Sequence, residues 1–400
     1  MIAAVIRHRS APLLFLLVWL VSASPALAED VPAADLTDDA TTAGAQTEAP
    51  EPLGPFALLH QEVQPGALSR LTLRTSESFA GAWVETPVAV AHGTQPGETL
   101  CVVAGIHGDE VNGVEVVRRL LNQIDPETLR GTLVAVPIAN LSAFRRGSRY
   151  LPDRRDLNRY FPGRAFGSAA SRIAHGLFDG VFRHCDALVD LHTGSFQRSN
   201  LQQLRAHLGD PETLKLAVDF GAGIVVNKIG RTGTLRRSAT DLGIPAITVE
   251  AGESTRFDEV HVAEALAGIE RLLRNRGMIA DPSPAPAPEP PMAYLKTRWV
   301  RADRGGILVS RVALGDPVEP GQVLGAISDP LSDAMTIVGS PISGRVIGMA
   351  VDQVVMPGFA VFHLAYDAYP LSSDTLLVPT IPDVSADAAP EELDLDERPE

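Results

Sequence analysis

The chain has 400 residues, a formal net charge of -15 and a hydrophobic fraction of 45%. This length is enough for a large α/β domain with a buried core and a smaller second domain. The acidic balance argues against nucleic acid as a partner, because the one dense arginine cluster, within residues 145–159, is short and lacks interleaved aromatic side chains. The two cysteines form no CxxC pattern, which excludes cysteine-based metal binding.

The first 28 residues have the pattern of a secretory signal peptide. Arg7 and Arg9 supply its basic region, Leu13–Val21 its apolar stretch and Ala26–Ala28 a small-residue cleavage site. The alternative is a membrane anchor, but the apolar run is shorter than the roughly 20 residues that span a bilayer. We therefore expect secretion across the inner membrane, to the periplasm, with no stable membrane anchor after cleavage.

The next segments of the chain separate a spacer from a large folded domain. Residues 29–53 are rich in Ala, Asp, Glu, Thr and Pro and are expected to form a disordered spacer. Residues 54–280 alternate short apolar runs, which predict buried parallel strands, with segments of helical periodicity. The predicted strands include Thr99–Gly105, Leu133–Pro137, Asp186–Leu191 and Ala246–Glu250, and the predicted helices are 112–124 and 259–276.

Three residues that follow two of these strands have the composition and spacing of a catalytic metal site. His107 and Glu110 follow the first strand, and His192 follows the third. Carboxyl ends of strands are where open α/β sheets bind ligands. A His₂Glu set leaves one position of a tetrahedral zinc open, which favours hydrolysis of an amide or ester. A single histidine would more often be a hydrogen-bonded surface residue, but three compatible ligands together favour a metal.

Five motifs occur in the order and spacing of a known family. With them the chain resembles the succinylglutamate desuccinylase/aspartoacylase family, a branch of the zinc carboxypeptidase superfamily. The resemblance covers about residues 95–280 and implies an α/β fold, with a zinc-carboxypeptidase-like mixed sheet flanked by helices. The motifs are Gly105-Ile106-His107-Gly108-Asp109-Glu110, Ser148-Arg149-Tyr150, Asp156-Leu157-Asn158-Arg159-Tyr160-Phe161-Pro162-Gly163, Asp190-Leu191-His192-Thr193-Gly194 and Thr248-Val249-Glu250-Ala251-Gly252.

The resemblance implies a catalytic role for five of the motif residues. His107, Glu110 and His192 are implied as ligands of one Zn²⁺ per chain. Glu250 is implied as the general base, which takes a proton from the attacking water and later delivers it to the leaving amine. Arg149 is implied as the residue that stabilises the tetrahedral oxyanion.

The resemblance also implies residues that bind the substrate. Asn158 and Arg159 correspond to a clamp for a substrate carboxylate, for which the bidentate fork of arginine is suited. Arg237 is similar to a further carboxylate-binding arginine of aspartoacylase-type members, although its spacing to Glu250 is two residues longer. Arg236 competes for that role. The arginine-rich loop in an otherwise acidic protein also suggests an anionic substrate.

Two local questions stay open in the sequence. Asp190 lies two residues before His192 on the same side of its strand, and it either orients that histidine or bonds nearby backbone amides. Cys101 and Cys185 each begin a strand that leads to a predicted zinc ligand. They pair in an oxidising compartment or pack as two separate buried thiols.

The C-terminal part of the chain has a different pattern. A Pro-rich linker over residues 281–292 precedes residues 293–370, in which short β-type runs alternate with Gly and Pro turns. This pattern predicts a small all-β domain that resembles the biotinyl/lipoyl-type barrel-sandwich fold. A carrier role is excluded because no lysine follows Lys296. Residues 371–400 are expected to form an acidic disordered tail.

Three functions compete at this level. The leading hypothesis is an exported zinc-dependent hydrolase that deacylates an N-acyl amino acid at an amide bond next to a carboxylate. The first alternative is a periplasmic metallocarboxypeptidase that trims peptidoglycan peptides, because export favours a cell-wall substrate and both substrates offer a carboxylate to the same clamp. The second alternative is a zinc-bearing binding protein without catalysis, but ligands, base and arginines are all present.

Overall fold

The computed structural model of the protein describes residues 53–77, 83–280, 290–351 and 354–371. The predicted signal peptide, all but the last residue of the spacer, most of the Pro-rich linker and nearly all of the acidic tail lie outside these residues. Among the helices that the structure describes, none is long and apolar enough to span a membrane.

The described residues form strands and helices that alternate up to residue 275 and strands alone after it. The α-helices are α1 Val111–Gln123, α2 Leu141–Phe144, α3 Ala169–Gly180, α4 Pro211–Phe220, α5 Leu235–Thr240 and α6 Glu259–Asn275, with 3₁₀ helices at Leu157–Arg159 and Phe182–His184. The strands are β1 Phe56–Leu58, β2 Gln61–Val63, β3 Ala67–Glu77, β4 Trp83–His92, β5 Gln95–Val103, β6 Arg130–Val136, β7 Ala187–Gly194, β8 Arg198–Ala206, β9 Ile224–Asn227, β10 Ala246–Glu253, β11 Met292–Arg301, β12 Gly306–Ser310, β13 Pro317–Val318, β14 Val323–Ser328, β15 Met335–Gly339, β16 Gly344–Ala350, β17 Val354–Val355 and β18 Ala360–Pro370.

A mixed sheet runs through the fold and confirms the expected α/β class. Its order is β13-β16-β18-β11-β9-β8-β10-β7-β5-β6-β4-β3. The central strands β6, β5, β7 and β10 are parallel neighbours, as their continuous apolar runs predict. Strand β8 pairs antiparallel with β10, and β4 pairs antiparallel with β6. The parallel centre places the ends of β5, β7 and β10 at one edge of the sheet.

Helices cover both faces of the central strands. On one face α1, α4 and α6 pack against alternate residues of the strands, such as Leu100 and Val102 of β5. On the other face α3 and α5 pack against the intervening residues, such as Cys101 and Val103. This alternation follows from the two-residue repeat of a strand and buries both faces of the sheet. The predicted helices 112–124 and 259–276 correspond to α1 and α6.

One strand end differs from its sequence-based prediction. The third predicted strand was expected to end before His192, but β7 continues to Gly194. Its pairing with β10 holds His192 opposite Glu250 and Gly194 opposite Glu253. The residues from His192 to Gly194, which follow the apolar run, therefore still belong to β7. The pairing of β7 with β10 fixes the position of the His192 backbone.

The C-terminal strands continue the central sheet. Strand β11 pairs in parallel with β9, and β16 pairs antiparallel with β8 through residues 348–350. A second sheet, of order β15-β14-β12-β17, encloses a smaller core with Leu308, Val346 and Phe362. An all-β part with strands between residues 292 and 370 is therefore present, and it shares hydrogen-bonded edges with the α/β part.

Candidate metal centre and active site

The three predicted metal ligands come together at the edge where the parallel strands end. His107 lies in the turn after β5, Glu110 is the N-cap residue of α1, and His192 lies within β7. The turn is tight because Gly105 has a φ of +64° and Gly108 packs directly against the backbone of Ala143. His192 is far from His107 and Glu110 in the sequence. It comes close to them because β5 and β7 are neighbours in the sheet.

The donor atoms of these three residues face one another. Nδ1 of His107 lies 2.7 Å from Oε1 of Glu110, and Nδ1 of His192 lies 2.8 Å from Oε2 of the same carboxylate. The two Nδ1 atoms are 3.2 Å apart. All three side chains are buried, and their ligand atoms lie within 4.8 Å of one another. Two imidazole nitrogens and a carboxylate that converge in this way fit a divalent cation such as zinc.

Each of the two histidines has an aspartate close to its other ring nitrogen, Nε2. Nε2 of His107 lies 3.1 Å from Oδ1 of Asp156, and Nε2 of His192 lies 3.0 Å from Oδ2 of Asp190. At His107 the contact is a hydrogen bond, which holds the proton on Nε2 and turns the Nδ1 lone pair inward, the usual support of a metal-binding histidine. At His192 the carboxylate lies at ion-pair distance from Nε2 without hydrogen-bond geometry. For Asp190 this proximity favours the first of the two roles that the sequence left open.

The charges of the centre act on one another strongly. Burial works to raise the pKa of Glu110, but the charges and hydrogen bonds of His107 and His192 hold it below its usual range. Burial works to lower the pKa of His192, but Asp190 and Glu110 raise it well above its ordinary value. A cluster that attracts a proton to its inward nitrogens also attracts a metal cation to the same place.

The two cysteines form a disulfide with each other. Cys101 lies in β5, Cys185 lies just before β7, and their Cα atoms are 5.8 Å apart. The sequence left the choice between a disulfide and two thiols open, and the structure contains the disulfide. It ties together the two strands that lead to His107 and His192.

Glu250 lies beside the metal centre on the neighbouring strand. Its Cα pairs with that of His192, so the two side chains leave the same face of the sheet. Oε2 of Glu250 accepts a hydrogen bond of 3.0 Å from Nδ2 of Asn200 on β8, and Oε1 lies 3.4 Å from Nη1 of Arg205. The carboxylate is buried and held at both oxygens, as a positioned proton acceptor requires.

Arg149 reaches the same centre from the loop after α2. Its Nη2 donates to Oδ2 of Asp156 at 2.9 Å, and its Nη1 lies 3.5 Å from Oε1 of Glu110. Its guanidinium carbon is 5.8 Å from the ring centroid of Phe196, which adds a cation–π contact. Only 8% of the side chain is exposed. A buried cation fixed beside the metal ligands can stabilise negative charge that develops on a substrate oxygen.

Comparison with known proteins places this geometry in a family. Residues 96–276 match the model of the succinylglutamate desuccinylase/aspartoacylase catalytic domain, and this range contains all eight predicted site residues. The catalytic domain of the chain, residues 96–276, belongs to the succinylglutamate desuccinylase/aspartoacylase family. The family is hydrolytic, so the protein is an enzyme of the deacylase class.

Individual members of the family show similar sequences and folds. The chain is 29% identical to the N-alpha-acetyl-L-2,4-diaminobutyric acid deacetylase of Halomonas elongata, over 67% of this chain and 80% of that protein. It is 31% identical to the succinylglutamate desuccinylase of Burkholderia pseudomallei, over 46% of this chain and 59% of that protein. A succinylglutamate desuccinylase/aspartoacylase from Rhodobacter sphaeroides superimposes with a TM-score of 0.68 at 26% identity, over 76% of this chain and 96% of that one.

The residues of the expected family clamp lie in the 3₁₀ helix Leu157–Arg159. Oδ1 of Asn158 accepts a hydrogen bond of 2.8 Å from the backbone of Leu235, which ties this helix to the start of α5. Nη1 of Arg159 donates to the carbonyl of Asn158 at 2.9 Å. The structure thus shows how both residues are held in place, and their contact with a substrate carboxylate stays a prediction.

The two candidates for the further arginine point in different directions. Nε of Arg237 forms a 2.6 Å ion pair with Asp241 at the exposed end of α5. Arg236 is buried, its Nη1 donates to the carbonyl of Lys228, and Asp190 and Glu250 act on its charge. Arg236 is thus the more buried of the two cations, and contact of either arginine with a substrate carboxylate stays a prediction.

Two residues near the centre were not assigned a role from the sequence. Asp156 begins one of the five motifs, but the sequence around it does not indicate that it contacts both His107 and Arg149. Asn200 belongs to no motif and lies 50 residues before its partner Glu250. Only the order β8-β10-β7 in the sheet brings it there, so a pattern along the chain does not reveal it.

Proposed function

We propose that this protein is a zinc-dependent hydrolase that removes a small acyl group from the nitrogen of an amino acid. His107, Glu110 and His192 would hold the zinc. When it is bound, zinc would polarise the substrate carbonyl and lower the pKa of the attacking water. The single observation that carries the proposal is that the three ligands have a buried cation and a buried carboxylate as neighbours: Arg149 contacts Glu110, and Glu250 is the ladder partner of His192. Base, cation and metal ligands together are the parts that amide hydrolysis needs.

We assign the roles of the chain's own residues from the family motifs, and their positions are compatible with these roles. Glu250 takes the proton of the attacking water and gives it to the amide nitrogen as the C–N bond breaks. Arg149 stabilises the negative charge on the former carbonyl oxygen. Arg159 and Asn158, with Arg236, provide the positive and polar groups that would bind the substrate carboxylate and hold the scissile bond in place.

The chemistry of similar proteins narrows the substrate class for the test. One relative is named for an acetylated diamino acid and others for succinylglutamate. We therefore propose a short acyl group, acetyl or succinyl, on an amino acid with a free carboxylate. The peptidoglycan peptide is the second candidate, because it offers a terminal carboxylate to the same clamp.

We also propose that the protein is exported. The support is the apolar stretch Leu13–Val21 followed by Ala26–Ala28, together with the disulfide between Cys101 and Cys185, because disulfides persist in oxidising compartments. Cell fractionation with N-terminal sequencing tests this proposal. A mature chain that starts at Glu29 in the periplasmic fraction would support it, and an intact N-terminus in the cytoplasm would contradict it.

A mass-spectrometric substrate screen tests the reaction. Zinc-loaded protein is mixed with acetylated and succinylated amino acids and, separately, with purified cell-wall peptides. Release of free amino acid from the acyl compounds would support the proposal, and loss of a terminal residue from the peptides alone would select the carboxypeptidase. The Glu250→Gln variant is the control and should keep zinc while it loses most turnover. Bound zinc without turnover of either set would indicate a binding protein.

A further inference from the structure

The amide of Asn200 makes the shorter of the two side-chain contacts to Glu250. Its Nδ2 is 3.0 Å from Oε2, and both side chains are buried, whereas Arg205 is 3.4 Å from Oε1 and has about a third of its side chain exposed. We propose that Asn200 is a positioning residue that holds Glu250 in its working orientation, and that strand β16 holds Asn200 in turn. The inference rests on the proposed role of Glu250 as the base.

The contact between β16 and Asn200 depends on a glycine. Gly348 is the Cα partner of Asn200 in the antiparallel ladder between β16 and β8. A Cβ at position 348 would lie 2.7 Å from Oδ1 of Asn200 and 3.3 Å from Cβ of His363. Real Cβ atoms do not approach an oxygen this closely, so the amide of Asn200 is the group that would have to move. Gly348 therefore leaves the space in which that amide sits.

The C-terminal strands therefore influence the active site without contact with the substrate. Gly348 pairs with Asn200 in the ladder and leaves room for its amide oxygen, and the amide nitrogen of the same side chain donates to Glu250. A general base needs a fixed orientation, because small displacements from the productive geometry lower the rate strongly. The chain of contacts from β16 to Asn200 to Glu250 supplies that orientation across the boundary between the α/β and all-β parts.

Substitution of Asn200 tests the first contact. Asn200→Leu keeps a similar shape and removes the donor, and Asn200→Ala removes the side chain. Both should lower kcat by roughly 10- to 100-fold, the usual cost of losing a supporting partner, while KM changes less than about twofold and bound zinc stays at the wild-type ratio. Wild-type kcat in both variants, or a rise in KM alone, would overturn the proposal.

Substitution of Gly348 tests the second contact at a distance from the substrate. Gly348→Ala should lower kcat in the same way as the Asn200 variants, again with little change in KM. Gly325→Ala is the matched control, because its Cβ would lie 2.9 Å from the carbonyl oxygen of Val309 within the all-β part and not near Asn200. Gly339→Ala, with its nearest atom at 3.8 Å, controls for glycine replacement itself.

The controls separate positioning from general strain. Gly325→Ala should lower the Tm and leave kcat unchanged, and Gly339→Ala should change neither. An equal fall of kcat in Gly325→Ala and Gly348→Ala would show that strain in the all-β part is sufficient, and it would overturn the role of Gly348.

A stability measurement keeps this inference separate from the proposed function. Thermal unfolding of Asn200→Ala, Glu250→Ala and the double variant forms a cycle that needs no substrate. A Tm loss in the double variant that is smaller than the sum of the single losses supports the contact, and additive losses overturn it. If wild-type protein hydrolyses no compound of the screen, the proposed function fails, and this cycle still decides whether Asn200 holds Glu250.

Discussion

At the scale of single residues, the centre depends on carboxylates that do not face the proposed metal. Asp156 contacts both Nε2 of His107 and Nη2 of Arg149, at 3.1 and 2.9 Å. The charges of these two partners hold the pKa of Asp156 below its usual range, although burial works to raise it. One carboxylate thus fixes a metal ligand and the cation that stabilises the oxyanion.

Asp156→Asn should weaken zinc binding by roughly 10- to 100-fold, because the neutral amide keeps the shape but is a weaker acceptor for the Nε2 proton of His107 and lacks the charge of the carboxylate. Competition with a chromophoric zinc chelator measures the affinity. Asp153→Asn, which removes the ion-pair partner of Arg155 in the same loop, is the control and should bind zinc as the wild type does. An unchanged affinity in Asp156→Asn would contradict the supporting role.

His363 gives a stability prediction that depends on pH. It is buried and stacks on Trp299 with the ring centroids 4.1 Å apart. Burial, with the charges of Arg205, Lys228 and Arg198, lowers its pKa well below the usual 6.5. The unfolded chain therefore takes up a proton below about pH 6.5 that the folded chain does not, and the stability present above that pH is lost as the pH falls.

His363→Phe keeps a stacked ring without this titration. The free energy of unfolding of the wild type should fall more steeply below pH 6.5 than that of the variant, by up to about 1.4 kcal/mol per pH unit for one proton. Urea unfolding at pH 8 and pH 5.5 measures the difference. If the free energy of unfolding depends on pH in the same way in both proteins, His363 does not contribute to that dependence.

The site residues that the sequence predicted lie in local motifs, whereas those that it missed depend on contacts between distant strands. His107, Glu110, His192, Glu250 and Arg149 lie in motifs, and the structure brings all five together. Asn200 and Gly348 act through contacts between strands that are far apart in the chain. Asn and Gly are common residue types that form no motif here, so only the pairing of β8 with β10 and β16 distinguishes them.

At the scale of elements, the strands that lead to the metal ligands are tied by a covalent bond. The disulfide between Cys101 and Cys185 closes a segment with a sequence separation of 84 residues. The chain-entropy relation gives a stabilisation of about 4.5 kcal/mol for a loop of this length, as an upper value. The bond restrains the unfolded chain and keeps β5 beside β7.

Reduction of the disulfide should lower the midpoint of urea unfolding of the wild type. The Cys101→Ala/Cys185→Ala variant should unfold at the lower midpoint with or without reductant, since it has no bond to lose. The same midpoint for oxidised wild type and the double variant would contradict a stabilising role for the disulfide.

Elements were predicted well where local periodicity decides them. Helices α1 and α6 follow the apolar repeat of their sequences, and the apolar runs correspond to β5, β6, β7 and β10. The pattern was wrong at the end of β7, because pairing with β10 continues through polar residues. The partners of β11 and β16 were not predicted, because the pattern of a strand does not specify a distant neighbour.

At the scale of the molecule, the α/β part and the all-β part share one sheet. Besides the ladders of β11 with β9 and β16 with β8, the buried Arg198 donates to the carbonyl of Ala360 and lies over the ring of Phe359. A chain that ends at residue 280 would expose the edges of β8 and β9 and leave a buried cation without these partners.

Truncation after residue 280 should therefore abolish the cooperative thermal unfolding transition and promote association. Circular dichroism and sedimentation measure these outcomes. Truncation after residue 371 removes none of the described contacts and should keep the wild-type Tm. A stable monomer from the shorter chain would contradict the dependence of the α/β part on the strands that follow it.

The shared sheet also makes the active site depend on residues that are synthesised late. The metal ligands and Glu250 are synthesised first, whereas β11 and β16, which complete the sheet edge beside them, follow only after further translation at roughly 5–20 residues per second. During those seconds the nascent chain contains every residue of the metal centre and still has unpaired strand edges. Maturation of the active site must therefore wait for the last strands of the chain.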